Sequence, residues 1–414
     1  MGVPMKRVGA RRMLEEHLAE LERLVDTAGA EVVGTITQQI DRPNPATYMG
    51  SGKLEELRAR VVESGATLVI FDDELSPAQG KNIEDAIGHR VMDRAELILD
   101  IFAVRARSAE ARMQVELAQL EYMLPRLTRM WTHLEKTRGG IGMRGPGETQ
   151  LETDRRLIGH RVKLLRQRLQ EVVQARAVQR QSRKGHFRAS LVGYTNAGKS
   201  SILRGLADTE VFVEDRLFAT LDPLTREVDV GDHAHALVTD TVGFIRKLPH
   251  HLVASFRATL DEARDADLLL HVIDASHPVW DDQRQVVDQV LEELELHDHP
   301  TLLVFNKVDA LGNEALIALQ ARVLAAGADA IFVSTVTPDG LMPLRRALRA
   351  AVRARRPLSE IRLSPADGRL LASIHREGQV LDQRAEGEWL VVRARVDEAL
   401  AGRLRSAGAD VVPV

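Results

Sequence analysis

One stretch of the sequence combines residue types and spacings that suit the binding of phosphate groups. It runs through Gly193, Tyr194, Thr195, Asn196, Ala197, Gly198, Lys199 and Ser200 and fits the pattern G-x-x-x-x-G-K-S. The glycines allow backbone N–H groups to curl around phosphates, Lys199 would bridge the β- and γ-oxygens of a triphosphate, and the Ser200 hydroxyl would ligate Mg²⁺. This stretch predicts a phosphate-binding loop.

Two stretches downstream carry groups that could act at a γ-phosphate. Asp240, Thr241, Val242 and Gly243 form D-x-x-G, in which the carboxylate can hold a magnesium-bound water and the glycine N–H can contact the phosphate. Between the loop and this motif lie Phe218, Ala219, Thr220, Leu221 and Asp222, followed by Thr225. A threonine here is expected to close over the γ-phosphate and complete the magnesium shell, and either Thr220 or Thr225 fits that role.

A third group of residues indicates which base is bound. Asn306, Lys307, Val308 and Asp309 follow an apolar run, and Ser334, Thr335 and Val336 follow the next one. Guanine presents N1–H and an exocyclic amine as a donor pair that the Asp309 carboxylate can accept, whereas adenine would leave that carboxylate unpaired. The side chain of Asn306 can bond the other edge of the base, the stem of Lys307 can cover its face, and backbone N–H groups at 334–335 can reach guanine O6.

The residue after Gly243 departs from the usual chemistry of such sites. Many GTPases place a glutamine there to orient the attacking water, but this chain has Phe244. Phenylalanine neither donates nor accepts a hydrogen bond. Either the ring packs under the switch and a nearby polar residue orients the water, or the free enzyme is slow and a partner completes the site.

The elements that must position these residues alternate along the chain. Apolar strand-like runs lie at 189–192, 236–239, 268–273, 302–305 and 331–333, separated by amphipathic helices. This alternation predicts an α/β fold with a doubly wound parallel sheet over residues 187–355, with each motif at the carboxyl end of a strand.

Three other regions are predicted around this domain. Residues 1–104 read as a small parallel α/β domain, with strands at 32–36 and 67–71 and helices near 52–64 and 76–88. Residues 105–186 read as two long helices in an antiparallel hairpin arm, bent at Pro125, with a glycine-rich tip at 138–148 and a capping box at 149–152. Residues 356–414 read as a small α+β domain with helices near 367–376 and 397–406 and a strand near 388–395.

The bulk composition excludes several classes of protein. A chain of 414 residues is too long for one ordinary core, and the absence of cysteine excludes disulfides and thiolate metal sites. No apolar run reaches the roughly 18 residues of a membrane span, and residues 1–12 lack the apolar centre of a signal peptide. We therefore expect a cytoplasmic protein.

The net charge of −4 conceals a strongly basic segment. Residues 155–188 contain eleven Lys and Arg (155, 156, 161, 163, 166, 168, 176, 180, 183, 184 and 188) against Glu171 alone, a balance of +10. Such a segment is either a solvated helix face or a contact surface for nucleic-acid phosphates, and two more cations, Arg138 and Arg144, lie in the glycine-rich tip.

A second glycine-containing stretch lies near the start of the chain. Gly50, Gly52 and Lys53 look like a phosphate loop but lack the following hydroxyl, so a turn opening the next helix is the better interpretation.

With these motifs, the chain resembles the HflX family of ribosome-associated GTPases over nearly its whole length. The resemblance rests on Gly50–Lys53, 139–156 (G-G-I-G-M-R-G-P-G-E-T-Q-L-E-T-D-R-R), Phe218–Asp222 and Asp240–Arg246. The chain departs from the family pattern at Met143, Leu224 and Thr335. By resemblance the magnesium threonine is Thr220, so that Ser200 and Thr220 are the metal ligands and Lys199, Thr220, Asp240 and Gly243 the catalytic residues.

The resemblance also implies a function and its partners. We expect a monomeric, Mg²⁺-dependent hydrolase of GTP that associates with the 50S subunit, contacts rRNA through the arm and its tip, and splits stalled or idle 70S ribosomes. Two alternatives stay open: a GTP-switched assembly or hibernation factor that binds without splitting, and a signalling GTPase with only a protein partner. The signalling alternative does not explain the basic arm.

Overall fold

The computed structural model of the chain describes residues 10–127, 150–181, 186–207, 217–231, 234–248 and 262–414. The chain divides into two compact units. The first comprises Met1–Arg176, Glu214–Asp222 and Ile245–Thr259, and the second comprises Ala177–Val213, Pro223–Phe244 and Leu260–Val414. The glycine-rich tip at 138–148 and Thr149 of the predicted capping box lie outside the described residues.

The first unit contains a small α/β domain. Its elements are α1 (Ala10–Thr27), α2 (Ser51–Ser64), β1 (Leu68–Phe71), α3 (Pro77–Ile87), β2 (Arg90–Asp93) and α4 (Arg94–Arg105). Strands β1 and β2 are parallel, with Leu68 opposite Arg90. The predicted helices near 52–64 and 76–88 are α2 and α3. Gly50 is the N-cap residue of α2, and Lys53 in its first turn pairs with Glu56. This arrangement fits the interpretation of Gly50–Lys53 as a turn that opens the helix.

The strand predicted at 32–36 was wrong. Residues 32–36 form no strand, and Val32 and Val33 are 37% and 54% exposed. The β-preference of valine reflects packing on a half-buried pleated surface, which these two side chains do not have here. Strand β2 and helix α4, by contrast, follow one another directly and had no clear signal in the sequence.

Two further helices form the arm, which we define as α5 (Ala109–Met123) and α6 (Gln150–Gln181), and they belong to the first unit as far as Arg176. Pro125 lies in a 3₁₀ turn, Leu124–Arg126, at the end of α5. The helices share a small apolar core around Leu117, Val162 and Leu165. Helix α6 has 32 residues and is therefore roughly 48 Å long.

The direction of the arm helices differs from the expected antiparallel pairing. Arg161 pairs with Glu116 at 2.6 Å and Arg166 with Glu121 at 2.7 Å, and both pairs are 45 residues apart in the sequence. A constant offset is the pattern of helices that run in the same direction where they meet, because antiparallel pairs have a constant sum of residue numbers. The sequence shows that a turn lies between the helices but not which way the chain returns.

The second unit contains the doubly wound sheet. Strands β3 (Phe187–Gly193), β4 (Leu224–Gly231), β5 (Ala234–Asp240), β6 (Leu268–Asp274), β7 (Thr301–Asn306) and β8 (Ala330–Phe332) lie in the order β4-β5-β3-β6-β7-β8. All neighbours are parallel except β4 and β5, so the sheet carries one antiparallel edge strand. Helices α7 (Lys199–Ala207), α8 (Trp280–Glu293), α9 (Asn313–Ala325) and α10 (Met342–Arg355) accompany it.

The carboxyl-terminal region of this unit is a four-stranded antiparallel sheet with two helices. Strands β9 (Leu358–Leu363), β10 (Gln379–Glu386), β11 (Trp389–Arg395) and β12 (Asp410–Pro413) lie in the order β10-β11-β9-β12, with α11 (Gly368–Glu377) and α12 (Glu398–Ser406). The predicted helices and the strand near 388–395 are present. Among the described residues, no helix is both long and apolar enough to cross a membrane.

Candidate nucleotide-binding site

The predicted phosphate loop connects the central strand β3 to helix α7. Two of its glycines lie where a side chain would not fit. Gly193 has φ +152°, and a Cβ there would lie 2.3 Å from the carbonyl oxygen of Val272. Gly198 has φ +95°, and a Cβ there would lie 2.2 Å from the Asn306 amide nitrogen. The loop therefore packs directly against the ends of β6 and β7, which only glycine permits.

Lys199, the first residue of α7, is buried within this loop. Its Nζ donates to the carbonyl oxygens of Gly193 at 3.1 Å and Tyr194 at 2.9 Å. Burial lowers the pKa of Lys199 to about 8, and the nearby Asp240 carboxylate partly opposes this shift. A buried ammonium held by backbone carbonyls is a preorganised cation for the oxygens of a polyphosphate.

Ser200 and Asp240 lie side by side beneath the loop. The Ser200 hydroxyl donates to Asp240 Oδ2 at 2.6 Å, and Asp240 is fully buried at the end of β5. A hydroxyl and a carboxylate are the oxygen donors that suit Mg²⁺, which otherwise keeps water and phosphate oxygens in its shell.

The rest of the D-x-x-G motif is packed tightly against the loop. Thr241 is buried and donates to the carbonyl of Leu191 at 2.7 Å, and Val242 is buried beside it. A Cβ at Gly243 would lie 2.7 Å from Thr195 Cα and 3.0 Å from Lys199 Nζ. The backbone at Gly243 thus lies next to the cation that would meet a γ-phosphate.

Phe244 extends this contact through its backbone. Its N–H donates to the Gly193 carbonyl at 3.0 Å, and its carbonyl accepts from the Thr195 N–H at 2.7 Å, so that it forms a bridge to Tyr194. The side chain is 2% exposed. The ring is therefore a packing group, and the backbone ties D-x-x-G to the phosphate loop.

The end of β7 contributes the residues predicted to read the base. Asn306 is buried, and its amide nitrogen donates to the carbonyl of Ala197 at 3.0 Å. Lys307 has φ +62°, and its Nζ donates to the Asn196 carbonyl at 3.0 Å and to Asp274 at 2.7 Å. Both side chains join the base-reading stretch to the phosphate loop, and Val308 begins a 3₁₀ turn that carries Asp309.

Asp309 contacts the residues that follow β8. The Ser334 hydroxyl donates to Asp309 Oδ1 at 2.6 Å. The backbone N–H groups of Ser334 and Val336 are already used, by the Gly340 carbonyl and by the Ser334 hydroxyl respectively. Within 334–336, Thr335 supplies the one backbone N–H without an acceptor among the described residues. This N–H is the natural donor for a carbonyl oxygen on the base.

The two threonine candidates have different surroundings. Thr225 lies in β4, and its hydroxyl shares a 2.9 Å hydrogen bond with the hydroxyl of Thr239 on β5. Thr220 lies outside the strands, half-buried, between Ala219 and the buried Leu221. The Thr225 hydroxyl is therefore already engaged within the sheet.

Sequence reasoning missed several residues that hold these segments within the first unit. The stretch predicted to touch nucleotide includes Asp222, whose carboxylate accepts hydrogen bonds from Arg107 and Ser108. Asp72, at the end of β1, pairs with Arg94 at 2.8 Å, Arg246 at 3.1 Å and Lys247 at 3.1 Å. The position of an aspartate directly after a strand was the only available signal.

The electrostatics of Asp72 follow from this cluster. Burial alone would raise the pKa of its carboxyl group, but Arg246, Arg94 and Lys247 outweigh burial and lower it to about 2. The carboxylate is therefore charged at neutral pH and ties the residues after Phe244 to the first unit.

Comparisons with known proteins agree with this geometry. Residues 15–103, 105–183 and 188–307 match family models described as GTP-binding GTPase N-terminal, GTP-binding GTPase Middle Region and 50S ribosome-binding GTPase. The chain is 46% identical to GTPase HflX of Magnetococcus marinus over 94% of this chain and 90% of that protein. It is 46% identical to GTPase HflX of Escherichia coli over 91% and 87% of the two chains, and 52% identical to that of Flavobacterium psychrophilum over 72% of each.

The three matched regions follow one another in the order expected for one protein, and the phosphate loop, D-x-x-G and base-reading residues all lie at the carboxyl ends of strands in one sheet. The chain therefore belongs to the HflX family of GTPases.

Proposed function

We propose that this GTPase binds the 50S subunit, separates stalled or idle 70S ribosomes and hydrolyses GTP faster when bound to them. Mg²⁺ would be held by Ser200 and Thr220 and would neutralise charge on the phosphates. Lys199 and Gly243 would stabilise the γ-phosphate, and Asp240 would hold a magnesium-bound water. We further propose a monomeric, cytoplasmic protein that is partly ribosome-associated.

The observation that carries the ribosomal part of the proposal is the surface of the arm. Arg155, Lys163 and Arg168 are exposed on α6 and have no ion-pair partner among the described residues. Arg161 and Arg166, by contrast, are paired with Glu116 and Glu121 of α5. These unpaired cations suit the phosphates of RNA. The match of residues 188–307 to the family model of a 50S ribosome-binding GTPase suggests that this RNA is rRNA.

The phenylalanine at position 244, in place of a water-orienting glutamine, supports stimulation by a partner. It offers no hydrogen bond to an attacking water, so the free enzyme is expected to be slow. Groups supplied in trans raise GTPase rates by about 10³–10⁵-fold, and we expect 50S or 70S particles to stimulate hydrolysis at least about tenfold. An unstimulated enzyme that is already as fast as its ribosome-bound form would contradict this prediction.

The decisive experiment is sedimentation of 70S ribosomes with the protein and GTP, GDP or a non-hydrolysable GTP analogue. Separation of the subunits with GTP or its analogue, but not with GDP, is the expected result. Tight binding to 50S particles or their precursors without separation would favour the alternative, an assembly or hibernation factor. No ribosome binding with any nucleotide would remove both.

The role of the arm can be tested through the salt dependence of binding. Replacing Arg155, Lys163 and Arg168 with glutamine should weaken ribosome affinity and reduce the slope of log affinity against log salt by about 2 to 3, because each phosphate contact contributes roughly 0.7–0.9. GTP affinity should not change. The measurement is a series of ribosome-binding titrations at several salt concentrations.

The matched control for this prediction removes one positive and one negative charge, so that the net charge of the protein stays the same. Arg161→Gln combined with Glu116→Gln deletes an ion pair of the arm, and its salt slope should equal that of the unmodified protein. An unchanged slope in the triple variant would show that the three cations are only a solvated helix face.

A further inference from the structure

The segment that carries Thr220 has a well-defined seat within the first unit. Residues 217–222 contain three buried apolar side chains, Leu217, Phe218 and Leu221. On one side of Thr220, the Phe218 ring packs edge-on against Phe102 of α4, with ring centroids 4.6 Å apart and planes at 85°. On the other side, the Asp222 carboxylate meets the start of α5.

The contact at Asp222 is a shared helix cap. Its Oδ2 accepts from the backbone N–H groups of Ser108 at 3.1 Å and Arg107 at 3.3 Å, and its Oδ1 accepts from the Ser108 hydroxyl. The same hydroxyl accepts the Ala111 N–H at 3.0 Å as the N-cap of α5. The carboxylate therefore sits at the positive end of an arm helix, where the helix dipole favours an anion.

The backbone of the segment indicates that the seat holds it in place. Phe218 has φ +55°, a conformation that bulky side chains rarely adopt and that persists only where the surroundings enforce it. The buried contact with Phe102 on one side of Thr220 and the hydrogen bonds at Asp222 on the other hold the backbone in this conformation. The α4–α5 corner, residues 102–108, provides all of these contacts.

We propose that the α4–α5 corner positions Thr220 for hydrolysis, with Phe218 and Asp222 as positioning residues, and so couples this segment to the arm. The inference rests on the proposed role of Thr220. Because α5 is the first helix of the arm, a partner that moves α5 acts on Asp222 through Ser108. By the same linkage, any change in the segment is felt by the arm.

The test uses four variants of the full-length protein. Three of them break the contact: Ser108→Ala, Asp222→Ala and the two combined. The fourth, Ser108→Thr, keeps the hydroxyl. We expect the amides of 217–222 to exchange with deuterium at least about tenfold faster in both alanine variants. We expect kcat for GTP to fall about tenfold, with KM within about twofold, because a small misplacement of a catalytic group has effects of this size. The double variant should resemble either single one, since both break the same link, and Ser108→Thr should retain native behaviour.

The control is Ser76→Ala, which removes the N-cap of α3, a hydroxyl that accepts from the Gln79 N–H. This variant should leave both measurements unchanged, since its cap has no contact with 217–222. Native exchange rates in Ser108→Ala and Asp222→Ala would overturn the seat. Faster exchange with unchanged kcat, while Thr220→Ala abolishes hydrolysis, would overturn the positioning role. Normal hydrolysis by Thr220→Ala would refute the proposed function of Thr220, and the exchange rates would still decide whether the seat exists.

Discussion

Lys199→Ala is expected to lower GTP hydrolysis by at least about 10²-fold, because removal of one preorganised group that stabilises developing charge typically costs that much. Lys199 is 6% exposed and held by the Gly193 and Tyr194 carbonyls, so its charge acts with little screening by solvent. The measurement is the single-turnover rate with saturating GTP, together with GTP affinity from equilibrium titration.

The pH dependence of nucleotide affinity provides a second measurement for the same prediction. Burial lowers the pKa of Lys199 to about 8, and the negative charge of a bound triphosphate should raise it again. Above pH 8, binding must therefore take up a proton, so affinity should be constant below this pH and fall as the pH rises beyond it. Lys199→Ala should lack this decrease.

The matched control is Ser200→Ala, which removes a proposed magnesium ligand and leaves the ammonium in place. Raising the Mg²⁺ concentration should partly rescue this variant, since the metal can replace the lost ligand with water, but should not rescue Lys199→Ala. Equal rescue of both variants would show that the two residues do not divide the work between phosphate charge and metal.

Asp309→Asn is expected to reverse the base preference of the enzyme. Two hydrogen bonds from guanine to a carboxylate are worth about 1.5–3 kcal/mol each, so their loss should lower GTP affinity by roughly 10²–10⁴-fold. Xanthine carries a carbonyl where guanine carries the exocyclic amine, and the asparagine amide can donate to it. Xanthosine triphosphate should therefore bind the variant better than GTP does. Competition titration with both nucleotides measures the change.

Ser334→Ala controls for indirect effects on this pocket. It removes the hydroxyl that donates to Asp309 Oδ1 at 2.6 Å but retains the carboxylate. GTP affinity should fall less than in Asp309→Asn, with no gain for the xanthine nucleotide. Unchanged GTP affinity in Asp309→Asn would place this residue outside the base pocket.

The chemistry of the site could be predicted from the sequence because its groups come in contiguous motifs. Gly193–Ser200, Asp240–Gly243 and Asn306–Asp309 each follow a strand, and parallel strands bring their carboxyl ends to one edge of a sheet. Local propensity and the order of the motifs therefore determined the sheet, the phosphate loop and the choice of guanine. The +10 segment could also be recognised in the sequence, since charge is a property of single residues.

Only the tertiary structure decided which distant groups meet. Asp222 lies 114 residues from Ser108, and Arg246 lies 174 residues from Asp72. A carboxylate in sequence can pair with any of many cations or N–H groups, and burial selects one partner by packing rather than by propensity. For the same reason the strand predicted at 32–36 was wrong, and the sequence did not show that α5 and α6 run in the same direction. Both depend on which surface the chain finds to bury its apolar side chains.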